Sequence, residues 1–224
     1  MNASLLLKLI AYLANFVAVL IVLPCHEFAH AFAAVKCGDD TPKFAGRYTL
    51  NPFAHFDPVG LVMLVLLRFG WAKPVPVNPD NFRHYKSGCV WVSLAGVLTN
   101  IIFAVLLCPL IFFVQYIHIQ ADWAFYINAF IDDFVLSLFA INVGLFVFNL
   151  LPLYPLDGFR LYDALTKNHG NFYMWLRKNS GYILIGILIL GYLGDFLSIP
   201  YLDIVGMLVN WVAGLIIKFW SLIL

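Results

Sequence analysis

Long apolar stretches alternate along this chain with short segments rich in polar residues, proline and glycine. A helix that crosses a lipid bilayer needs about 20 predominantly apolar residues. On this criterion the pattern predicts core spans at about residues 5–35, 89–113 and 134–153, and accessory spans at about residues 181–194 and 204–222. We therefore predict an all-α polytopic membrane protein, a single domain over residues 1–224 with about five transmembrane helices.

The segment at about residues 46–80 departs from this pattern. Its apolar stretch, residues 59–71, is too short to span, and glycines and prolines interrupt it on both sides. Val75 and Val77 alternate with prolines, which favours an extended strand. Irregular backbone at membrane depth must be buried by protein or line a cavity. We therefore expect a re-entrant β-hairpin on the cytosolic side.

Composition agrees with a membrane protein and excludes several other classes. Apolar residues make up 63% of the chain and charged residues only 11%, against about 25% charged in a soluble domain. An ordinary soluble enzyme, a disordered chain and a collagen-like fibre are therefore excluded. The net charge of +1 offers no basic excess, so nucleic acid is not an expected partner, whereas the lipid bilayer is.

The distribution of lysine and arginine predicts the orientation. Residues 36–88 and 160–180 are rich in these residues, whereas the loops near residues 115–133 and 195–203 contain none. Cytoplasmic loops carry an excess of basic residues. We predict an external N-terminus, with both basic segments and the C-terminus in the cytosol of a prokaryotic cell and the protein in its plasma membrane.

A metal-binding motif lies inside the first predicted span. His26 and His30 are separated by one helical turn, so both imidazoles can reach one zinc ion. Glu27, the only glutamate in the chain, lies beside them and can polarise a water molecule. His26 precedes Lys36 by ten residues, which places it roughly 15 Å from the cytosolic interface.

A third protein ligand must come from elsewhere, because a catalytic zinc usually has three. A third histidine six residues after His30 is excluded, since that position is Lys36, and a second glutamate does not exist. Asp157 is the best candidate, because it follows the third span and can match the two histidines in depth, although Asp-Gly is also a common turn signal. The rivals, in predicted loops, are His55, Asp57, His84 and His169.

The combination of motifs resembles the site-2 protease family, the intramembrane zinc metalloproteases. The residues that match its second motif are Asn149, Pro152, Leu156, Asp157 and Gly158. The stretch Ser93–Asn100 resembles the family's small-residue motif, with Val97 in place of its usual proline. The segment around residues 46–78 is similar to that of small prokaryotic members without a PDZ or CBS domain.

The resemblance implies a three-helix catalytic core formed by the first three spans. It implies one zinc ion per chain held by His26, His30 and Asp157, with Glu27 as general base and acid. Asn149 is the remaining catalytic candidate, because its amide N–H can bond the substrate carbonyl or the developing oxyanion. A local helix-end cap is the structural alternative for Asn149.

The expected partners are transmembrane or membrane-anchored protein substrates, cleaved near the cytosolic half of the bilayer in regulated intramembrane proteolysis or signal-peptide clearance. A helical substrate must unwind locally, and the hairpin edge can then satisfy its backbone groups by strand addition. Two alternative functions stay open. One is a divalent-metal transporter, and the other is a catalytically inactive relative that binds membrane partners.

Overall fold

The computed structural model describes residues 3–60, 72–167 and 169–224, and most of the described chain is helical. The α-helices are α1 (Ala3–Cys37), α2 (Thr41–Phe44), α3 (Pro52–His55), α4 (Tyr85–Phe113), α5 (Phe125–Leu150), α6 (Asp157–Leu165), α7 (Asn171–Leu197) and α8 (Ile204–Ser221). Short 3₁₀ turns lie at Pro79–Asn81, Val114–Ile117, Asp122–Ala124 and Pro200–Leu202. These described residues include no β-strand, and the predicted all-α fold class is confirmed.

Four described helices are long and apolar enough to cross a membrane. They are Ala3–Cys37, Tyr85–Ile117, Phe125–Leu150 and Ile204–Ser221. They correspond to the first, second, third and fifth predicted spans. The predicted fourth span, residues 181–194, lies inside α7, which is not one of these four. The side of the membrane on which the C-terminus lies therefore stays a prediction.

The third spanning helix begins earlier than its apolar pattern predicted. Asp132 and Asp133, which the apolar pattern left in the loop near residues 115–133, belong to α5. Asp132 pairs with His118 at 2.8 Å, which offsets part of the cost of its charge near the helix start. The helix ends at Leu150, because Leu151 adopts an extended conformation just before Pro152.

Helices α1, α4 and α5 pack against one another and form the centre of the molecule. Small residues allow this close approach on α1, where Ala14, Ala18 and Ala31 are fully buried. Helix α8 closes one side, since Ile216 packs on buried residues of α4 and α5. The three mutually packed helices are the ones that carry the three predicted core spans.

The predicted hairpin can be followed only in part. Phe56 and Ala72 form an isolated antiparallel bridge, and the Lys73 amide donates to the His55 carbonyl at 2.8 Å. Residues 61–71, which would form the turn, lie outside the described residues. Residues 73–78 belong to no helix or strand, so the hairpin stays a prediction.

The end of the predicted hairpin is held against the end of α1 by Asp39. This carboxylate is fully buried and accepts hydrogen bonds from the Asn78 amide at 2.7 Å and the Asn81 side chain at 2.8 Å. It also accepts from the backbone and hydroxyl of Thr41. Burial alone would raise the pKa of Asp39, but these hydrogen bonds outweigh burial and lower it. Asp39 thus sets the position of residues 73–81 relative to the helix that carries the two motif histidines.

Candidate metal centre

His26 and His30 meet on one face of α1, as their spacing predicts. Both are only 4% exposed, and their ring centroids lie 4.7 Å apart with the planes nearly perpendicular. The two Nε2 atoms are 3.1 Å apart. Helix geometry alone therefore brings two potential metal ligands to one point.

Asp157 reaches the same point from the first residue of α6. Its Oδ2 atom lies 3.3 Å from His26 Nε2 and 3.1 Å from His30 Nε2. Gly158 makes this approach possible, since a Cβ there would come closer than 3.0 Å to the Leu150 and Leu151 carbonyl oxygens. The Asp-Gly pair is thus a helix start packed beneath the end of α5, where the sequence left a simple turn open.

The three atoms match a metal site in size. Zinc binds histidine nitrogen and carboxylate oxygen at about 2.0–2.2 Å, so neighbouring ligand atoms of a tetrahedral site lie about 3.3 Å apart. The observed edges of the triangle are 3.1, 3.1 and 3.3 Å. His26, His30 and Asp157 are also the only group of three potential ligands that converges within the described chain.

The hydrogen bonds around the triangle also favour a cation. His30 Nδ1 lies 2.7 Å from the Val92 carbonyl oxygen, an atom that can only accept, so Nδ1 carries the proton and Nε2 presents a lone pair. The buried Asp157 Oδ2 has no hydrogen-bond partner among the described residues. An anion and ring lone pairs that face one another need a positive charge between them.

Helix α4 fits closely over the two histidines through Gly96. A Cβ at this position would lie 2.5 Å from His26 Cε1 and 2.8 Å from His26 Nδ1, and it would also meet His30 Nε2. No side chain larger than hydrogen fits here unless the rings move. The small-residue motif therefore has a specific role at this position, which is to let α4 cover the site.

The other two predicted site residues are Glu27, next to His26, and Asn149, near the end of α5, and no described contact defines their roles. Glu27 and Asn149 are both partly buried. Neither side chain has a hydrogen-bond or ion-pair partner among the residues that the structure describes. A capping role for Asn149 therefore finds no support in the described contacts.

The four rival ligands do not join the triangle. The His55 Nε2 atom bonds the Thr49 carbonyl at 2.8 Å, and Asp57 accepts from the Gly60 amide at 2.9 Å. His169 pairs with Asp163 at 2.9 Å. His84 lies exposed at the start of α4.

One buried residue near the site escaped the sequence-based reasoning. Asn142 on α5 is fully buried and bonds Asn100 of α4, which in turn bonds His26. Asn142 precedes Asn149 by two helical turns, so both lie on one face of α5. A lone amide in the middle of an apolar span is costly unless it has a partner, and this signal would have identified it.

A cavity of about 540 Å³ lies beside the site. Val75 and Val77 of the extended segment line one wall, and Val92 and Ser93 of α4 line another. Val92 is the residue whose carbonyl orients His30. Arg160, 3.9 Å from Asp157, also lines the cavity, which connects it to the ligand triangle.

Comparison with known proteins identifies relatives that share most of the chain. A Bacillus subtilis protein named "Putative zinc metalloprotease YwhC" is 36% identical over 197 residues, which cover 88% of each chain. A protein named "Putative zinc metalloprotease Rip2" from Mycolicibacterium smegmatis is 28% identical over 74% of this chain and 62% of its own length. Its namesake from Mycobacterium tuberculosis is 32% identical over 67% of this chain and 58% of its own length. No family model matches the chain. No solved structure gives a significant match.

Proposed function

The chain belongs to the site-2 protease family, and from that premise we propose that it is an intramembrane zinc metalloendopeptidase. The relatives' names support a metalloprotease function. The observation that carries the proposal is the buried triangle of His26, His30 and Asp157 within an apolar helical core. A polar site in such a core has a high energetic cost, which favours a functional role over a structural one.

The residues of the triangle hold the metal, and the neighbouring polar groups act on the substrate. When bound, zinc supplies a Lewis acid that polarises the peptide carbonyl and makes water a better nucleophile. Glu27 accepts the proton of the attacking water and delivers it to the leaving amine. Asn149 donates an amide N–H to the substrate carbonyl, whose negative charge grows in the transition state.

The substrates we propose are transmembrane or membrane-anchored proteins, cleaved toward the cytosolic side. His30 precedes the end of α1 at Cys37 by seven residues, so the site lies about 10 Å along the helix from that end. The basic residues near this end, Lys36 and Lys43, favour the cytosol for it. The processes we propose for this cleavage are regulated intramembrane proteolysis or signal-peptide clearance.

The cavity beside the triangle is the proposed binding place for the unwound substrate segment. Val75 and Val77 of the extended segment line one wall of it, and their backbone groups have no partner among the described residues. An unwound substrate exposes backbone N–H and C=O groups that must be paired in an apolar setting. Strand addition to residues 73–78 would pair them and would guide the scissile bond toward the metal.

The deciding experiment compares wild type with Glu27→Gln and Asp157→Asn in detergent. Cleavage of a single-span substrate and zinc content are measured for each protein. We expect wild type to cleave with about one zinc per chain, Glu27→Gln to keep zinc but lose at least 100-fold in rate, and Asp157→Asn to lose zinc. Asp133→Asn is the matched control, because it makes the same change on α5 about 24 Å from Asn149 and should retain both zinc and cleavage.

The outcomes separate the alternatives. Full activity in Glu27→Gln would refute the proposed role of Glu27. Zinc bound by wild type without cleavage of any single-span substrate would favour the inactive relative. Zinc uptake into sealed vesicles by wild type would favour the divalent-metal transporter.

A further inference from the structure

Two buried asparagines connect a backbone carbonyl of α5 to His26. The Asn142 Nδ2 atom donates to the Leu138 carbonyl at 2.8 Å. The Asn100 Nδ2 atom donates to Asn142 Oδ1 at 2.9 Å, and Asn100 Oδ1 lies 2.5 Å from His26 Nδ1. Asn100 is 1% exposed and Asn142 is fully buried, so water does not compete for these groups.

The direction of this row of hydrogen bonds is set at its far end. A backbone carbonyl can only accept, so Asn142 must turn its NH₂ group toward Leu138 and its oxygen toward Asn100. Asn100 must then present its NH₂ group to Asn142 and its oxygen to His26. The His26 Nδ1 atom therefore carries the ring proton and donates it to Asn100. The reversed arrangement would bring the Asn142 oxygen against the Leu138 oxygen at 2.8 Å.

We propose that Asn142 is a positioning residue of the metal centre, which acts through Asn100 to set the tautomer of His26. With Nδ1 protonated, the His26 Nε2 atom offers its lone pair to the ligand triangle. Nδ1 and Nε2 compete for one proton in a neutral ring, so a His26 that carries it on Nε2 cannot bind metal through that atom. This inference rests on the proposed zinc site. It adds Asn142, which does not bind the metal itself, to the residues that hold His26 in place.

The two histidines should respond differently, and this difference separates positioning from packing. His30 donates directly to the Val92 carbonyl, which fixes its tautomer without any side chain. His26 instead depends on amide groups that are free to turn once Asn142 is removed. A purely structural role for Asn142, as a hydrogen bond between α4 and α5, would loosen both histidines alike.

The test is a double-mutant cycle on zinc affinity, measured by chelator competition with the full chain in detergent. The variants are Asn142→Leu, Asn100→Leu and the double variant, because leucine is similar in size and has no hydrogen-bonding group. Asn210→Leu on α8 is the matched control, since Asn210 is exposed on a helix that provides no ligand. We expect about a tenfold loss of affinity in Asn142→Leu, a loss of about 10–100-fold in Asn100→Leu, and no further loss in the double variant.

A second measurement does not depend on bound metal. In the zinc-free protein at alkaline pH, where the histidine rings are neutral, ¹⁵N chemical shifts of the ring nitrogens report which nitrogen carries the proton. We expect a single Nδ1–H tautomer for His26 in wild type, a mixture in Asn142→Leu, and an unchanged His30 in both. An unchanged His26 tautomer, wild-type zinc affinity in Asn142→Leu, or additive losses in the double variant would overturn the inference.

Failure of the inference and failure of the proposed function are distinguishable. Wild type that binds no zinc would contradict the metalloprotease proposal and, with it, the role of Asn142 at a metal centre. Wild type that binds zinc and cleaves, with Asn142→Leu unchanged in both measurements, would contradict the inference alone.

Discussion

The contact between Gly96 and the two histidines allows a sharp test of the metal centre. An alanine at this position places one methyl group against the His26 and His30 rings, with contacts of 2.5 Å to His26 Cε1 and 2.8 Å to His26 Nδ1. Ordinary van der Waals contacts of a Cβ begin at 3.4 Å. The rings or helix α4 must therefore move by an amount on the order of 1 Å.

This displacement is small for the fold and large for a metal site. Overpacking by a methyl group costs about 1–3 kcal/mol of folding free energy, which a membrane protein core can tolerate. Ligand positions must hold to within about 0.2 Å for good coordination. We therefore expect Gly96→Ala to remain folded but to bind zinc at least about tenfold more weakly, in the range seen when ligand orientation is disturbed.

The assay is zinc competition with a chromophoric chelator, combined with thermal unfolding of the zinc-free protein. Gly144→Ala on α5 is the matched control, because a Cβ there meets nothing within 4 Å and alanine favours the helix by about 0.5–1 kcal/mol. This control should keep wild-type zinc affinity and unfold at the same or a higher temperature. Wild-type zinc affinity in Gly96→Ala would refute the reasoning, since it would mean that the rings beneath Gly96 do not bind the metal.

Two further predictions concern the segment that lines the cavity. Since the pKa of Asp39 is lowered in the folded state, its carboxylate stabilises the fold above the unfolded pKa of about 3.9, and this contribution is lost as pH falls through the lower folded value. The thermal unfolding temperature should thus fall less steeply between about pH 5 and pH 3 in Asp39→Asn than in wild type. The control is Asp40→Asn, because Asp40 is exposed. Equal slopes for Asp39→Asn and wild type would contradict the role of Asp39. Val77→Pro removes a backbone N–H from the cavity wall and should depress cleavage while zinc stays bound. The control Val77→Ala keeps this N–H and should retain activity. Loss of zinc in the proline variant would mean that the segment has a structural role instead.

The spanning helices could be predicted because their cause is local. A bilayer demands a continuous apolar stretch of fixed length, and α1, α4, α5 and α8 satisfy it within their own sequence. The errors fell where other contacts decided the outcome. Helix α5 includes Asp132 and Asp133 ahead of its apolar part, where Asp132 pairs with His118. The Asp39 hydrogen bonds hold the segment after α1, and hydrophobic periodicity does not predict such contacts.

The site divides in the same way between local and distant causes. His26 and His30 meet because a helix repeats every 3.6 residues, so the sequence alone determined that pair and the adjacent Glu27. The sequence made Asp157 the best third candidate but left His55 and His169 as rivals. The tertiary structure favours Asp157, because Gly158 lets α6 pack beneath the end of α5. The tertiary structure also connects Asn142 to His26 through Asn100. A hydrogen bond between two helices depends on how the helices pack, so the hydrophobic periodicity of neither helix predicts it.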